Sequence, residues 1–302
     1  MIAAIIVLYK PDCKSVQRLI RSLESQVDSI HVIDNTSGVE LVPQEQLFPF
    51  SIAVPLHYKS LRENAGIAAA QNIGIREALE VGASHIILFD QDSVPASDTI
   101  QALLLAENTL VNNGLSVAAV GPVFIDERTG GISPVVHYTY FGLKTIPVDL
   151  SSPVPVEAHF LISSGCLIRS TVLATVGSMR EDLFIDWVDN EWGLRARSMG
   201  LLSYVVPQAR MVHSIGDGVV NLLWKQMHLH TETRNYYLLR NAIYLMRVSS
   251  MGIRWKLSFL PRLPLYLAIY PLLAKNKLRH FATLFRAVCD GFSGRLGSVS
   301  RL

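Results

Sequence analysis

The sequence predicts an α/β fold built on a mainly parallel sheet. In the first half, short apolar runs alternate with amphipathic stretches, the order that produces strands flanked by helices. Clusters of polar residues follow those runs, which in such sheets puts ligand-binding groups beyond the carboxyl ends of the strands. The chain of 302 residues, 50% of them hydrophobic, is long enough for a substantial core with a smaller added unit.

The first run, Ile2 to Leu8, has no basic leader and is too short for a signal peptide or a membrane span, so it is read as a buried strand. Residues 29–33, 52–57, 85–89 and 117–121 are the next strands, and 14–26, 66–80 and 97–112 the helices between them. Residues 123–157, rich in Gly, Pro and Thr, predict an irregular excursion or a short hairpin. Phe160 to Ile168 reads as a strand interrupted by Ser163-Ser164-Gly165, where Gly165 allows a backbone to lie against a ligand or forms a bulge. No internal repeat or low-complexity tract is present.

The most informative motif is Phe89-Asp90-Gln91-Asp92-Ser93 at the end of the fourth run. Side chains at i and i+2 of an extended chain point the same way, so Asp90 and Asp92 project together from a strand end. Two carboxylates so placed suit a hard divalent cation, Mg²⁺ or Mn²⁺, whose other positions are filled by water and phosphate oxygens. The ligand expected from this pattern is a nucleoside diphosphate.

Tyr9-Lys10-Pro11-Asp12 follows the first strand and Asp34-Asn35-Thr36-Ser37-Gly38 the second. The latter is read either as a tight turn or as a site where Asp34 accepts hydrogen bonds from a base or ribose. Asn64-Ala65-Gly66 stands before an Ala-rich helix, where small residues let backbone amides approach a phosphate or base. Around residue 189, a helix starting near Asp186 would put Asp186 and Asp189 on one face and pair Glu191 with Arg195 at i, i+4. Glu191 is thereby structural, and Asp189 is the candidate general base, with Trp187 and Trp192 available to desolvate it. His213 is read as a structural residue from its sequence alone. His228 and His230, in a basic stretch expected to be helical, receive no chemical role.

Net charge is only +2, which argues against nucleic acid as a partner. Its distribution is uneven: from Lys225 onward there are 13 Lys/Arg against Glu232 and Asp290 alone. Three scattered cysteines, Cys13, Cys166 and Cys289, suit reduced thiols in the cytoplasm. Residues 257–274 approach the length of a bilayer span, yet Arg262, Pro261, Pro264 and Pro271 oppose a regular spanning helix. The favoured reading of 252–302 is a surface contact with anionic lipid, Trp255, Phe259 and the leucines entering the headgroup boundary. The competing reading is a cap packed on the rest of the chain or on a second subunit.

Taken together, these stretches resemble family 2 inverting glycosyltransferases of the GT-A fold, and most closely their bacterial rhamnosyltransferase branch. The resemblance spans about residues 3–245 and rests on Val7 to Pro11, Asp34 to Ser37, Asn64 to Gly74, Asp90 to Ser93, Glu181 to Arg197, His213, and Arg234 to Asn241. It implies a GT-A catalytic unit over 1–215, carrying donor and acceptor sites, and a C-terminal helical region over 216–302. It also implies donor-nucleotide contacts from Tyr9, Lys10, Asp34, Asn64, Gly66 and Asp90, and a metal held by Asp90, Asp92 and His213.

Asp189 inherits the role of catalytic base. Val188 stands where many relatives carry a companion acid, which leaves Asp186 as its substitute, while Trp187, Glu191, Trp192 and Arg195 belong to the acceptor side or the scaffold. The implied reaction is transfer of L-rhamnose from dTDP-β-L-rhamnose to a lipid-linked saccharide for O-antigen or another surface polysaccharide, at the inner face of the cell membrane. Alternative donors are UDP-hexoses and UDP-galactofuranose. Other classes are a nucleotidyltransferase, against which the absence of a Gly-rich basic loop after the first strand argues, and a silent nucleotide-binding assembly subunit. The oligomeric state is left open.

Overall fold

The computed structural model describes residues 1–126, 130–213, 219–222, 225–228, 231–274 and 276–299, with side chains described for all except 213, 219–222, 225–228, 265 and 273. The chain begins β1 (Ile2–Leu8), α1 (Cys13–Leu23), β2 (Ser29–Asp34), α2 (Gln44–Leu47), β3 (Leu56–Ser60), α3 (Ile67–Glu80), β4 (His85–Asp90), β5 (Ser93–Pro95), α4 (Thr99–Asn112) and β6 (Val117–Asp126). A hairpin of β7 (Val135–Thr139) and β8 (Gly142–Ile146) follows, then β9 (Val156–Ala158), β10 (Cys166–Arg169), α5 (Ser170–Val176), α6 (Val188–Ser198) and β11 (Leu202–His213). The remainder is β12 (Val219–Leu222), β13 (Lys225–His228), α7 (Glu232–Leu245), α8 (Gly252–Phe259), α9 (Leu263–Leu273) and α10 (Lys277–Ser293).

The main sheet runs β3-β2-β1-β4-β10-β6-β11-β5, with β9 on β11. It is mixed rather than mainly parallel. β3, β2, β1 and β4 are mutually parallel, as are β6 and β11, but β10 lies antiparallel between β4 and β6, and β5 and β9 are antiparallel to β11. The parallel half is the part whose alternating strands and helices are plain in the sequence. The antiparallel half is made by a chain that leaves after β6 and returns, and no local periodicity records that return.

The inner strands β1 and β4 are covered on both faces and are apolar over Ile2–Leu8 and over residues 86–89, whereas the edge strand β3 alternates half-buried and exposed residues. Along β1, Ala3 and Ile5 join one core with Ala68, Ile75 and Ala78 of α3, while Ala4, Ile6 and Leu8 join the other with Val16, Leu19, Ile20 and Leu23 of α1. In α1 those four residues at i, i+3, i+4 and i+7 form one stripe, and Asp12 caps its start by accepting from the Ser15 amide at 2.9 Å.

Several boundaries differ from expectation. β3 begins at Leu56 because Pro55 has no amide to donate; its carbonyl instead accepts from Ile30. Lys225–His228 is a strand rather than a helix, paired with β12, and His230 lies outside the described residues. α6 begins at Val188, so Asp186 precedes the helix and does not share its face with Asp189. The predicted boundary at 215/216 falls outside the described residues.

The C-terminal helices cap the fold. Trp255 and Phe259 are each 1% exposed, and they meet Trp187 edge-on at 5.4 Å, so these two rings belong to the core and not to a lipid surface. The apolar run expected near 257–274 breaks into α8, a 3₁₀ turn and α9, with Pro261 and Pro264 at the breaks. Among the described residues no helix is long and apolar enough to cross a membrane.

Candidate active site

Parallel pairing of β2-β1-β4 brings Asp34, Leu8 and Asp90 to one edge of the sheet, where the loops after each strand interlock. Gln91 accepts from the Tyr9 amide at 2.9 Å and donates to its carbonyl at 3.2 Å, tying the end of β1 to the Asp90-Gln91-Asp92 turn. The Lys10 amide donates to Thr36 Oγ1 at 2.8 Å, while its ammonium pairs with Glu40, which holds the lysine pKa above its usual value.

Asp34 is fully buried, accepting from the Thr36 amide and the Tyr58 hydroxyl, each at 2.9 Å. Its carboxylate thus shapes the turn rather than facing an open site. Asn35 accepts from the Ala65 amide at 2.8 Å and donates to Asn64, whose carbonyl oxygen also receives the Gly66 amide at 3.0 Å. Asn64 and Gly66 are thereby fixed beside the second strand's loop.

Asp90 and Asp92 stand partly buried at the same edge. The Asp90 amide donates to Ser164 Oγ at 3.1 Å, and Ser164 in turn bonds the buried Ser93 hydroxyl at 2.5 Å. Gly165, with φ +75°, lies against Pro122: a Cβ there would fall 2.6 Å from the proline ring. This glycine therefore serves close packing within the protein, allowing Ser164 to reach the Asp90 turn.

Asp189, at the first turn of α6, accepts from the Ser163 amide at 3.3 Å and the Asn190 amide at 3.2 Å. Burial raises its pKa above the ordinary carboxylate range, and these amides oppose the rise. Asp90 is pushed up to about 7 by burial and then by the negative charges of Asp92 and Asp189, with Arg234 acting the other way. The carboxylates of Asp90 and Asp92, both partly buried at the end of β4, are hard oxygen donors of the kind a divalent cation takes, so they fit the expected Mg²⁺ or Mn²⁺. Among the described residues no group of three or more His, Cys, Asp or Glu side chains is already arranged as a ligand cluster. The register pairs His213 with Ser93, which puts its backbone beside the acidic turn; its side chain lies outside the described set.

Asp186 is engaged by Arg234, whose Nε lies 3.2 Å from Oδ1. Glu191 is 2% exposed and receives Arg195 in a bidentate pair at 3.0–3.3 Å, and Arg195 also donates to the carbonyls of Val176 and Ser178. The i, i+4 pair expected from the spacing is formed. Trp192 is buried and donates to the Gly177 carbonyl, and Trp187 donates to that of Leu238, so both rings serve the scaffold around Asp189.

Four contributors receive no individual role in the sequence reading: Gln91, Ser164, Arg234 and Asn241. Gln91 stood in plain view between the two aspartates. The others act across 48 to 74 residues of chain, and spacing carries no record of such pairs.

The comparisons with known proteins agree with this arrangement. Residues 4–177 match the family model described as glycosyl transferase family 2. The chain is 34% identical over 296 residues to the dTDP-rhamnosyl transferase RfbF of Shigella flexneri, covering 98% of this chain and 97% of that protein. It is 27% identical over 245 residues to galactofuranosyltransferase GlfT1 of Mycolicibacterium smegmatis, covering 77% of each. Among solved structures, GalNAc-T7 with UDP, GalNAc and Mn²⁺ superposes with a TM-score of 0.59 at 13% identity, over 97% of this chain and 57% of that one, so this chain spans little more than half its length and shares its fold. With an acidic turn at the end of β4, a partly buried carboxylate at the start of α6, a family model matched over more than half of its length and a relative 34% identical along nearly all of it, the chain belongs to glycosyl transferase family 2 and is an inverting glycosyltransferase of the GT-A fold.

Proposed function

We propose that the enzyme transfers L-rhamnose from dTDP-β-L-rhamnose to a hydroxyl of a lipid-linked saccharide, in the synthesis of O-antigen or another surface polysaccharide, at the cytoplasmic face of the membrane. The observation that carries the donor assignment is the similarity to a dTDP-rhamnosyl transferase along practically the whole of both chains. Asp189 accepts the proton of the acceptor hydroxyl as that oxygen attacks the anomeric carbon. The bond from that carbon to the diphosphate breaks on the opposite face, and a single displacement inverts the centre without a covalent enzyme intermediate. Burial supports this role, since a carboxylate with a raised pKa is a stronger base once ionised.

Asp90 and Asp92, with His213 beside Ser93 in the backbone register, are the residues that would hold Mg²⁺ or Mn²⁺. When bound, such an ion supplies positive charge to the leaving diphosphate. Asn64 and Gly66 hold the loop over the nucleotide, and Tyr9 and Lys10 border it.

Calorimetric titration with dTDP-rhamnose, first with Mg²⁺ and then with chelator, tests donor and metal together. Metal-dependent binding of dTDP-rhamnose, absent with UDP-sugars, is the expected result; preference for a UDP-sugar would overturn the donor. Asp189→Asn should abolish turnover, by about 10²–10⁴-fold, with donor binding retained. A galactofuranosyl donor is the second reading, favoured by the likeness to GlfT1, and UDP-galactofuranose belongs in the same titration.

A further inference from the structure

Helix α10 is amphipathic in an inverted sense. Its inward face against α7 carries His280, Thr283, Leu284, Ala287, Asp290 and Gly291. Its outward face carries Leu278, Phe281, Phe285 and Phe292, which are 85%, 52%, 60% and 66% exposed. At about 100° per residue these four fall within an arc of roughly 60° and extend along about 21 Å of helix. Three exposed phenylalanines in one row are not the surface of a protein in contact with water alone.

The flanks of that row are basic. Lys277 is exposed on one side; on the other, Arg279, paired with Glu232 at 3.4 Å, and Arg286, paired with Asp290 at 3.4 Å, keep side chains 61% and 52% exposed, and Arg295 just past the helix, 3.9 Å from Asp290, is 81% exposed. Asp290, the single acid of the helix, is buried under Tyr236. An aromatic row between cationic margins fits the interface of an anionic bilayer, where rings enter the headgroup boundary and guanidinium and ammonium groups meet lipid phosphate. A second copy of the chain fits less well, because pairing this face with itself sets arginines opposite arginines without exposed acids on the helix to receive them.

We propose that the outward face of α10, and not the buried Trp255 and Phe259 of α8, is the surface by which the enzyme sits on anionic lipid. This inference rests on the lipid-linked acceptor proposed above and names the face that brings the enzyme to it.

Vesicle flotation of the full chain tests the assignment without reference to turnover. Vesicles of phosphatidylglycerol and phosphatidylcholine should carry the protein upward, vesicles of phosphatidylcholine alone should not, and added salt should lower the bound fraction. The double variant F281S/F285S, at exposed positions, should lower that fraction at least tenfold with melting temperature and dTDP-rhamnose binding unchanged. Flotation of the variant equal to that of the parent would overturn α10 as the docking face and leave peripheral attachment standing. No flotation of the parent would overturn peripheral attachment itself. A concentration-dependent dimer in sedimentation equilibrium, abolished by F281S/F285S, would assign the face to self-association and sink the proposal.

Discussion

Gly66 and Phe184 meet backbone to backbone between the loop before α3 and the loop before α6. The Ile67 amide donates to the Phe184 carbonyl at 2.8 Å, and a Cβ on Gly66 would lie 2.7 Å from that same oxygen and from the phenylalanine ring. Both residues have positive φ, +90° at Gly66 and +67° at Phe184. The segment expected to close over the nucleotide is thus locked to the loop leading to Asp189, the proposed base. Gly66→Ala combines an unfavourable φ with a backbone clash, each costing about 1–3 kcal/mol. We expect a drop in melting temperature and a fall in kcat/KM of at least tenfold, measured by calorimetry and steady-state assay.

The loop that Phe184 begins is held from behind by Asn241. Phe184, Asp186 and Trp187 all have φ between +62° and +67° without being glycine, so the segment must be constrained by its surroundings. The Asn241 amide nitrogen donates to the carbonyls of Leu183, Ile185 and Asp186 at 2.8–3.2 Å, while its oxygen accepts from Arg240 at 2.8 and 2.9 Å. Asn241→Asp keeps the acceptor for Arg240 and replaces the donor by an oxygen facing three carbonyls. The expected result is a loss of kcat of about a hundredfold, equivalent to roughly 2.7 kcal/mol, with donor affinity measured by calorimetry little changed.

Glu191 tests the distinction between scaffold and chemistry within one turn of helix. Its carboxylate is buried with Arg195, and removing one partner of such a pair leaves an uncompensated charge costing about 3–5 kcal/mol. Glu191→Ala should therefore lower the denaturation midpoint strongly, whereas Asp189→Asn, two residues earlier and outside that clamp, should leave the midpoint near that of the parent and remove turnover. Urea titration of both variants beside their rates decides it.

The parts of this site legible in the sequence are those encoded within one element. Asp90 and Asp92 follow an apolar run, Glu191 and Arg195 sit four apart, and Asn64-Ala65-Gly66 precedes a helix; each pattern is local. Asp186 falls outside the helix because it and Trp187 adopt left-handed backbone, in a segment held by residues far along the chain, Asn241 and Arg234 among them. Trp255 and Phe259 read as a lipid-facing pair because hydrophobicity reports that a side chain leaves water and is silent on what it enters. Their destination, the ring of Trp187, lies 68 and 72 residues earlier in the chain.

His159 supplies a pH dependence whose sign follows from its surroundings. It is 6% exposed, stacks on His137 at 4.3 Å, and accepts the Tyr138 amide on Nδ1 at 3.0 Å, which requires the neutral ring. Burial, then the positive charges of Arg197 and His137, depress its pKa to about 4. The unfolded chain takes up this proton near the ordinary value of about 6.5, so stability is full above that pH and is lost as pH falls toward 4, with a limiting slope of about 1.4 kcal/mol per pH unit. The consequence reaches the site, because Tyr138 donates its hydroxyl to Asn190, the neighbour of Asp189. Urea midpoints at pH 7.5 and pH 5 should differ less in His159→Asn than in the parent, and an equal acid loss in both proteins would assign that loss to other groups.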